Sequence, residues 1–197
     1  MPDIHPPYRG KAAVIGIFGG LFGAWAMHYW MTAVAPRLFA APEDRADAPN
    51  PALTPDPVES TSPLPRLYRG GETAFDTAAR VFYRTATGLE PMPEKAEAAR
   101  GLLHYAYFAF IGAAYGGSRT ARRPRDIAGG FFFGLRLFAA ETLAGAWLGF
   151  RPGPTRFTLG QHFRRLAAYW AFTFTSTQFT RLVYWLLTPE HRGDPDA

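Results

Sequence analysis

The sequence predicts an all-α, polytopic membrane protein: a bundle of four transmembrane helices with a Pro-rich extramembrane linker and a short amphipathic helix. Three observations carry this. Of the 37 charged residues in 197, only Arg136, Glu141 and Arg181 fall inside four apolar stretches, 12–35, 101–117, 127–150 and 166–187. Glycine pairs spaced by four recur within these stretches. The basic residues crowd the flanks of the stretches, as membrane-bordering charge does. Crossing about 30 Å of hydrocarbon takes about 20 apolar residues of helix, a length that three of the four stretches reach.

The chain opens with a basic segment, 1–11, that carries Arg9 and Lys11. The first span, 12–35, has 24 residues without a formal charge. It could also be a secretory leader, since Ala33-Val34-Ala35 has the form of a cleavage site. Pro36 directly after that site, and a length beyond the usual 7–15 apolar residues, favour an uncleaved span. Residues 36–68 follow as a linker. Eight prolines between 36 and 65, among acidic and small residues, predict disorder. Over 69–100, Phe75, Ala78, Ala79 and Phe82 recur at helical spacing with Arg80 and Arg84 elsewhere on the wheel, predicting an amphipathic helix and its connection.

The second span, 101–117, is short. A basic loop, 118–126, joins it to the third, 127–150; a basic interfacial loop, 151–165, leads to the fourth, 166–187, and the chain ends in a tail, 188–197. The 118–126 loop has four arginines against Asp126, whereas 36–100 balances eight basic residues with ten acidic ones. Excess Lys and Arg stay inside. Both termini are therefore expected in the cytoplasm, with 36–100 outside. Arg151, Arg156, Arg164 and Arg165 run against this orientation.

In lipid, helices associate through small residues that let backbones approach. Gly16/Gly20, Gly19/Gly23, Gly112/Gly116, Gly130/Gly134 and Gly145/Gly149 are the candidate packing pairs. Ionisable residues share these surfaces: His28 follows Gly16, Gly20 and Ala24, His104 precedes Phe108, Gly112 and Tyr115, and Glu141 sits between Gly134 and Gly145. His28, His104, Glu141, Arg136 and Arg181 form the candidate polar cluster. Arg136 and Glu141 are about 140° apart on a helix, so each needs a partner on another one. The last span adds a hydroxyl stripe through Tyr169, Thr173, Ser176, Thr177, Thr180 and Tyr184. Trp25, Trp30, Trp147, Trp170 and Trp185 read as interfacial belt or packing residues, and His162 as a neighbour of lipid headgroups.

Several classes drop out. The chain has no cysteine, hence no disulfide framework and no thiolate chemistry. Neither an activated nucleophile, a phosphate-cradling loop nor metal-ligand spacing is present in the sequence, so no enzyme, metal or cofactor is expected. The pI near 9.7 comes with only two lysines and no nucleic-acid signature, which leaves the bilayer as the expected partner.

The order LLHYAYFAFIGAAYGG, a basic turn ARRPRD, GGFFFGLRLFAAETLAGAWLG and an aromatic last span resembles the YagU family of small bacterial inner-membrane proteins, over roughly 71–187. The resemblance falls on His104, Gly112, Tyr115, Gly116, Gly130, Gly134 and Glu141. Gly145 stands where that family tends to have proline, and Ala167 and Ala168 where it has histidine. What it implies is membrane class, fold and a diffuse link to acid tolerance, with no reaction. The expected role is thus non-catalytic: a response to external pH through His28, His104 and Glu141, or an accessory subunit of a larger membrane complex or homo-oligomer. A small-solute transporter is the third reading.

Overall fold

The computed structural model describes residues 6–39, 56–118 and 127–187, and among these every regular element is helical. The basic loop, the C-terminal tail, the first five residues and 40–55 lie outside the described residues. Helix α1 (Pro6–Tyr29) passes through one π-helical turn (Trp30–Val34) into α2 (Ala35–Leu38). Pro36 explains the wider turn: it has no N–H to donate, and its ring would collide with the carbonyl four residues back. The run Arg9–Leu38 is the one helix among the described residues that is long and apolar enough to cross a membrane.

Helices α3 (Pro57–Ser60), α4 (Ala74–Thr87), α5 (Pro93–Ser118), α6 (Ile127–Trp147) and α7 (Leu159–Leu187) follow, with a 3-10 turn at Pro154–Arg156. Local chemistry sets their ends. Thr73 and Asp76 cap α4 reciprocally, and Gly88 closes it at φ 74°. Thr158 and Gln161 form the same box at the start of α7, at 2.9 and 3.1 Å. Gly149, at φ 73°, stops α6 three residues short of the expected 150. Two helices also run beyond the expected stretches: 101–117 is the latter part of a 26-residue helix, and α7 starts seven residues before 166.

The chain divides into two compact units, one from residues 1–30, 105–135 and 168–197, the other from 31–104 and 136–167. In the first, α1 packs antiparallel on both α5 and α7, each time through glycine. A Cβ added to Gly16 would run into the carbonyl oxygen of Gly112, one on Gly20 into that of Phe108, one on Gly112 into that of Gly16, and one on Gly116 into that of Ala12. Each of these glycines therefore points a Cα–H at a carbonyl of the facing helix, a weak hydrogen bond that only close backbones allow. The other face of α1 meets α7: Gly19 lies against Thr180 and Ser176, and Gly23 against the ring and carbonyl of Phe172, 2.6 Å from an added Cβ. Gly130 and Gly134 similarly admit Phe174, Thr177, Trp170 and Thr173 of α7. Gly145 is different, since its neighbour is the aliphatic stem of Arg151 rather than a facing helix.

In the second unit, the expected disordered linker requires correction. Residues 56–68 are an ordered strap, because backbone groups and carboxylates find fixed partners on 147–157. Leu67 and Tyr68 donate their N–H groups to Gly149 O at 2.9 and 3.0 Å, and Ser62 Oγ donates to Trp147 O at 2.5 Å. Proline at 57 here starts a helix turn, its missing N–H being one that a first turn leaves unused.

Gly112→Ala is expected to destabilise the protein by about 1–3 kcal/mol, since backbone cannot yield to the new methyl. Gly101→Ala, which has open space within 4 Å, is expected to stabilise it by about 0.5–1 kcal/mol. Thermal unfolding of the two variants in detergent checks the opposite signs.

Candidate functional site

The first unit has an inverted distribution of residue types. Thr173, Ser176 and Thr177 of α7 are fully buried and Thr180 nearly so, while Phe18, Phe22 and Trp25 of α1 and Leu182 and Trp185 of α7 are exposed. Among these buried groups lies Arg181, only 4% exposed, whose Nε donates to the Tyr115 hydroxyl at 2.9 Å. The Tyr115 ring stacks on Phe133, 5.3 Å between centroids. The site is thus a buried guanidinium held by a phenol, on a helix whose buried face is rich in hydroxyl side chains. Thr177 and Thr173 turn their own hydroxyls back to the carbonyls of Phe174 and Trp170.

The second unit holds two carboxylate centres. Asp56 accepts from Thr155 N and Oγ1, both at 2.7 Å, and from Val58 N at 2.8 Å. Burial alone would raise its pKa, but these donors outweigh burial and hold it below the ordinary value. Glu59 accepts from Gly153 N at 2.6 Å and from the Tyr68 hydroxyl at 3.3 Å, and pairs with Arg66 and Arg156 at 3.0 and 3.1 Å. The Tyr68 hydroxyl is shifted upward by burial and by the Glu59 charge. Further along, Arg80 grips Glu72 with two bonds of 2.7 and 2.8 Å and donates to Leu67 O, while Thr77 and the Arg69 N–H supply Glu72 with two more. The hydrogen bond from Arg80 is the main reason the Glu72 carboxyl titrates at about 2.

Of the five residues expected to cluster, His28 and Arg181 belong to the first unit, and His104, Arg136 and Glu141 to the second. The α1/α7 register pairs Gly23 with Phe172 and Gly19 with Thr180, so His28 and Arg181 lie roughly 20 Å apart along the helices. His28 is exposed rather than on the glycine face. His104, half-buried, meets the Phe75 ring edge-on at 5.1 Å. Glu141 is half-buried and Arg136 exposed, on different sides of α6. No group of three acidic or histidine side chains arranged to hold a metal occurs among the described residues.

The 151–165 arginines are likewise part of the fold. Arg151 and Arg164 are buried, and Arg165 and Arg151 place their guanidinium groups 3.9 and 5.4 Å from the Phe157 ring centre. His162 likewise has fixed partners within the fold. Its Nε2 is 2.9 Å from Pro154 O, between the rings of Phe138 and Phe157. The Trp170 indole donates to Phe131 O, so it packs, whereas Trp25, Trp147 and Trp185 stay exposed as belt residues do.

Sequence reasoning missed Asp56, Glu59, Thr155 and the Glu72–Arg80 pair. One signal was available: Asp56-Pro57-Val58-Glu59 has the cap, first-turn proline and acidic residue of a helix start. Comparisons with protein-family models, curated proteins and solved structures find no match for this chain.

A carboxyl whose folded pKa is depressed contributes stability that is whole above its unfolded value of about 4.5 and lost as pH falls towards 2. For Glu72 that contribution is on the order of 3 kcal/mol. Glu72→Gln is expected to lower stability at pH 7 and to flatten the loss between pH 5 and 2, as read from unfolding midpoints across that range.

Proposed function

We propose that this chain is a four-span protein of the bacterial inner membrane that works without catalysis, as an assembly subunit. The observation that carries the reading is the inverted first unit. Glycine, alanine, serine and threonine line its helix contacts around a few buried rings such as Phe108 and Phe172, and phenylalanine, leucine and tryptophan cover its surface. In water such a surface would be an aggregation site, because large apolar patches associate. In lipid the surface costs nothing, and the small interior residues give the close packing that holds membrane helices together.

Arg9–Leu38 is the first span, and α5, α6 and α7 supply the other three. Their antiparallel register fits alternate crossings, with the arginines of 118–126 in the cytoplasm and 56–100 outside. The arginines of 151–165 cease to oppose this orientation, since Glu59 and the Phe157 ring engage them within the fold. A pH response that depends on His28 sharing a buried face with other groups has less to rest on, since His28 is exposed. The resemblance to the YagU family agrees with the membrane class and adds no reaction.

The cysteine-free chain makes topology directly measurable. Glu94→Cys should react with a membrane-impermeant maleimide in intact spheroplasts, and Thr120→Cys only after permeabilisation, with the protein resisting carbonate extraction. Labelling of both positions before permeabilisation, or release by carbonate, would sink the assignment.

A further inference from the structure

Arg136 is a charged residue that the fold leaves outside, in the middle of α6. It is exposed, and no hydrogen bond or ion pair to it occurs among the described residues. It stands about 14 Å from the start of α6 and about 17 Å from its end. An extended arginine side chain reaches about 6–7 Å, too short for the guanidinium to snorkel to either interface from there. On the membrane-spanning reading of α6, on which this inference rests, a lone guanidinium at that depth facing acyl chains costs roughly 2.5–3.5 kcal/mol or more. Something other than lipid therefore covers it.

The surroundings indicate what. Ala139, Ala140, Leu143, Ala144 and Trp147 are all exposed, and Arg136, Ala140 and Ala144 recur every four residues along one stripe. Small side chains at that spacing let another helix come close beside the arginine. A second copy of this chain is a poor occupant. Two copies inserted the same way about a two-fold axis would bring Arg136 against Arg136, and the acidic residue of the same helix, Glu141, is about 140° around the helix from Arg136.

We propose that the Arg136 stripe of α6 is the docking face for a transmembrane helix of a different protein, one that carries a carboxylate near its midpoint. The carboxylate accepts from the guanidinium, and the partner's small or flat side chains lie over Ala140 and Ala144. Charge complementarity selects the partner, because a helix without the acid leaves the guanidinium uncompensated.

The test uses the full chain, donor-labelled and reconstituted into phosphatidylcholine vesicles at pH 8, with acceptor-labelled polyleucine transmembrane peptides carrying either one central Glu or Leu alone. Energy transfer should give an association constant roughly tenfold higher for the Glu peptide. Arg136→Leu should bring the ratio to about one while circular dichroism stays unchanged, and Arg136→Lys should keep a preference. Equal association of both peptides with the wild-type chain overturns the proposal. So does an undiminished ratio in Arg136→Leu, or strong transfer between copies of the chain that Arg136→Leu abolishes, which would make a second copy the occupant. Flotation and protease protection read the spanning assignment separately: chain that does not insert overturns both readings, whereas inserted chain that binds the peptides equally overturns only this one.

Discussion

The first unit depends on backbone-to-backbone contact between α1 and α5. Four glycines and four carbonyl oxygens face one another there with no room for a methyl group, so the helices approach as closely as peptide groups allow. Such contacts are individually weak, about 0.5–1 kcal/mol each. Their effect is cumulative, because close approach also lengthens the surface over which the two helices touch. Phe108, fully buried and 4.4 Å from the Phe172 ring, fits only because Gly20 and Gly23 leave space on two sides of α1.

That constraint shapes what else the unit can contain. An interior built around glycine has narrow seams rather than a wide apolar core. Short hydroxyl side chains fit those seams where leucine would not, which accounts for Thr173, Ser176, Thr177 and Thr180 on the inner side of α7. Arg181 is tolerated at the end of the stripe because Tyr115 meets its Nε. A buried cation with a fitted partner is costly to leave alone and selective in what it accepts, so it marks one register of α5 on α7. The second unit solves its polar problem differently: carboxylates come from the strap, and their donors from the 151–158 turn and neighbouring arginines. The strap is ordered by those bonds and not by apolar burial.

Helix content, the four apolar stretches and the glycine faces were legible because period and composition report on them directly. Gly16 and Gly20 do face Gly112, as their spacing suggested. Other readings failed for physical reasons. The 36–68 stretch looks disordered by composition, yet 56–68 is held by partners 80 to 100 residues away that no local pattern announces. Arg151, Arg165 and His162 look interfacial, since a window sees charge but not the Phe157 ring beside the two arginines or the Pro154 carbonyl beside the histidine. His28 shares a wheel position with Gly16, Gly20 and Ala24. The π-helical turn begins two residues beyond it, near where the glycine face of α1 ends.

By itself, then, the sequence determined the class of elements, the separation of charge from apolar helix and the positions where helices can approach, because these follow from residue size and polarity along one strand of chain. Only the tertiary structure decided which polar groups meet. Arg181 finds Tyr115, Glu72 finds Arg80, and Asp56 finds Thr155, while the register of α1 on α7 keeps His28 away from Arg181. Arg136 is left on the surface for the same reason. Partner choice depends on which helix faces are brought together across long separations, and hydrogen-bond geometry, unlike hydropathy, has no period that a single strand can display.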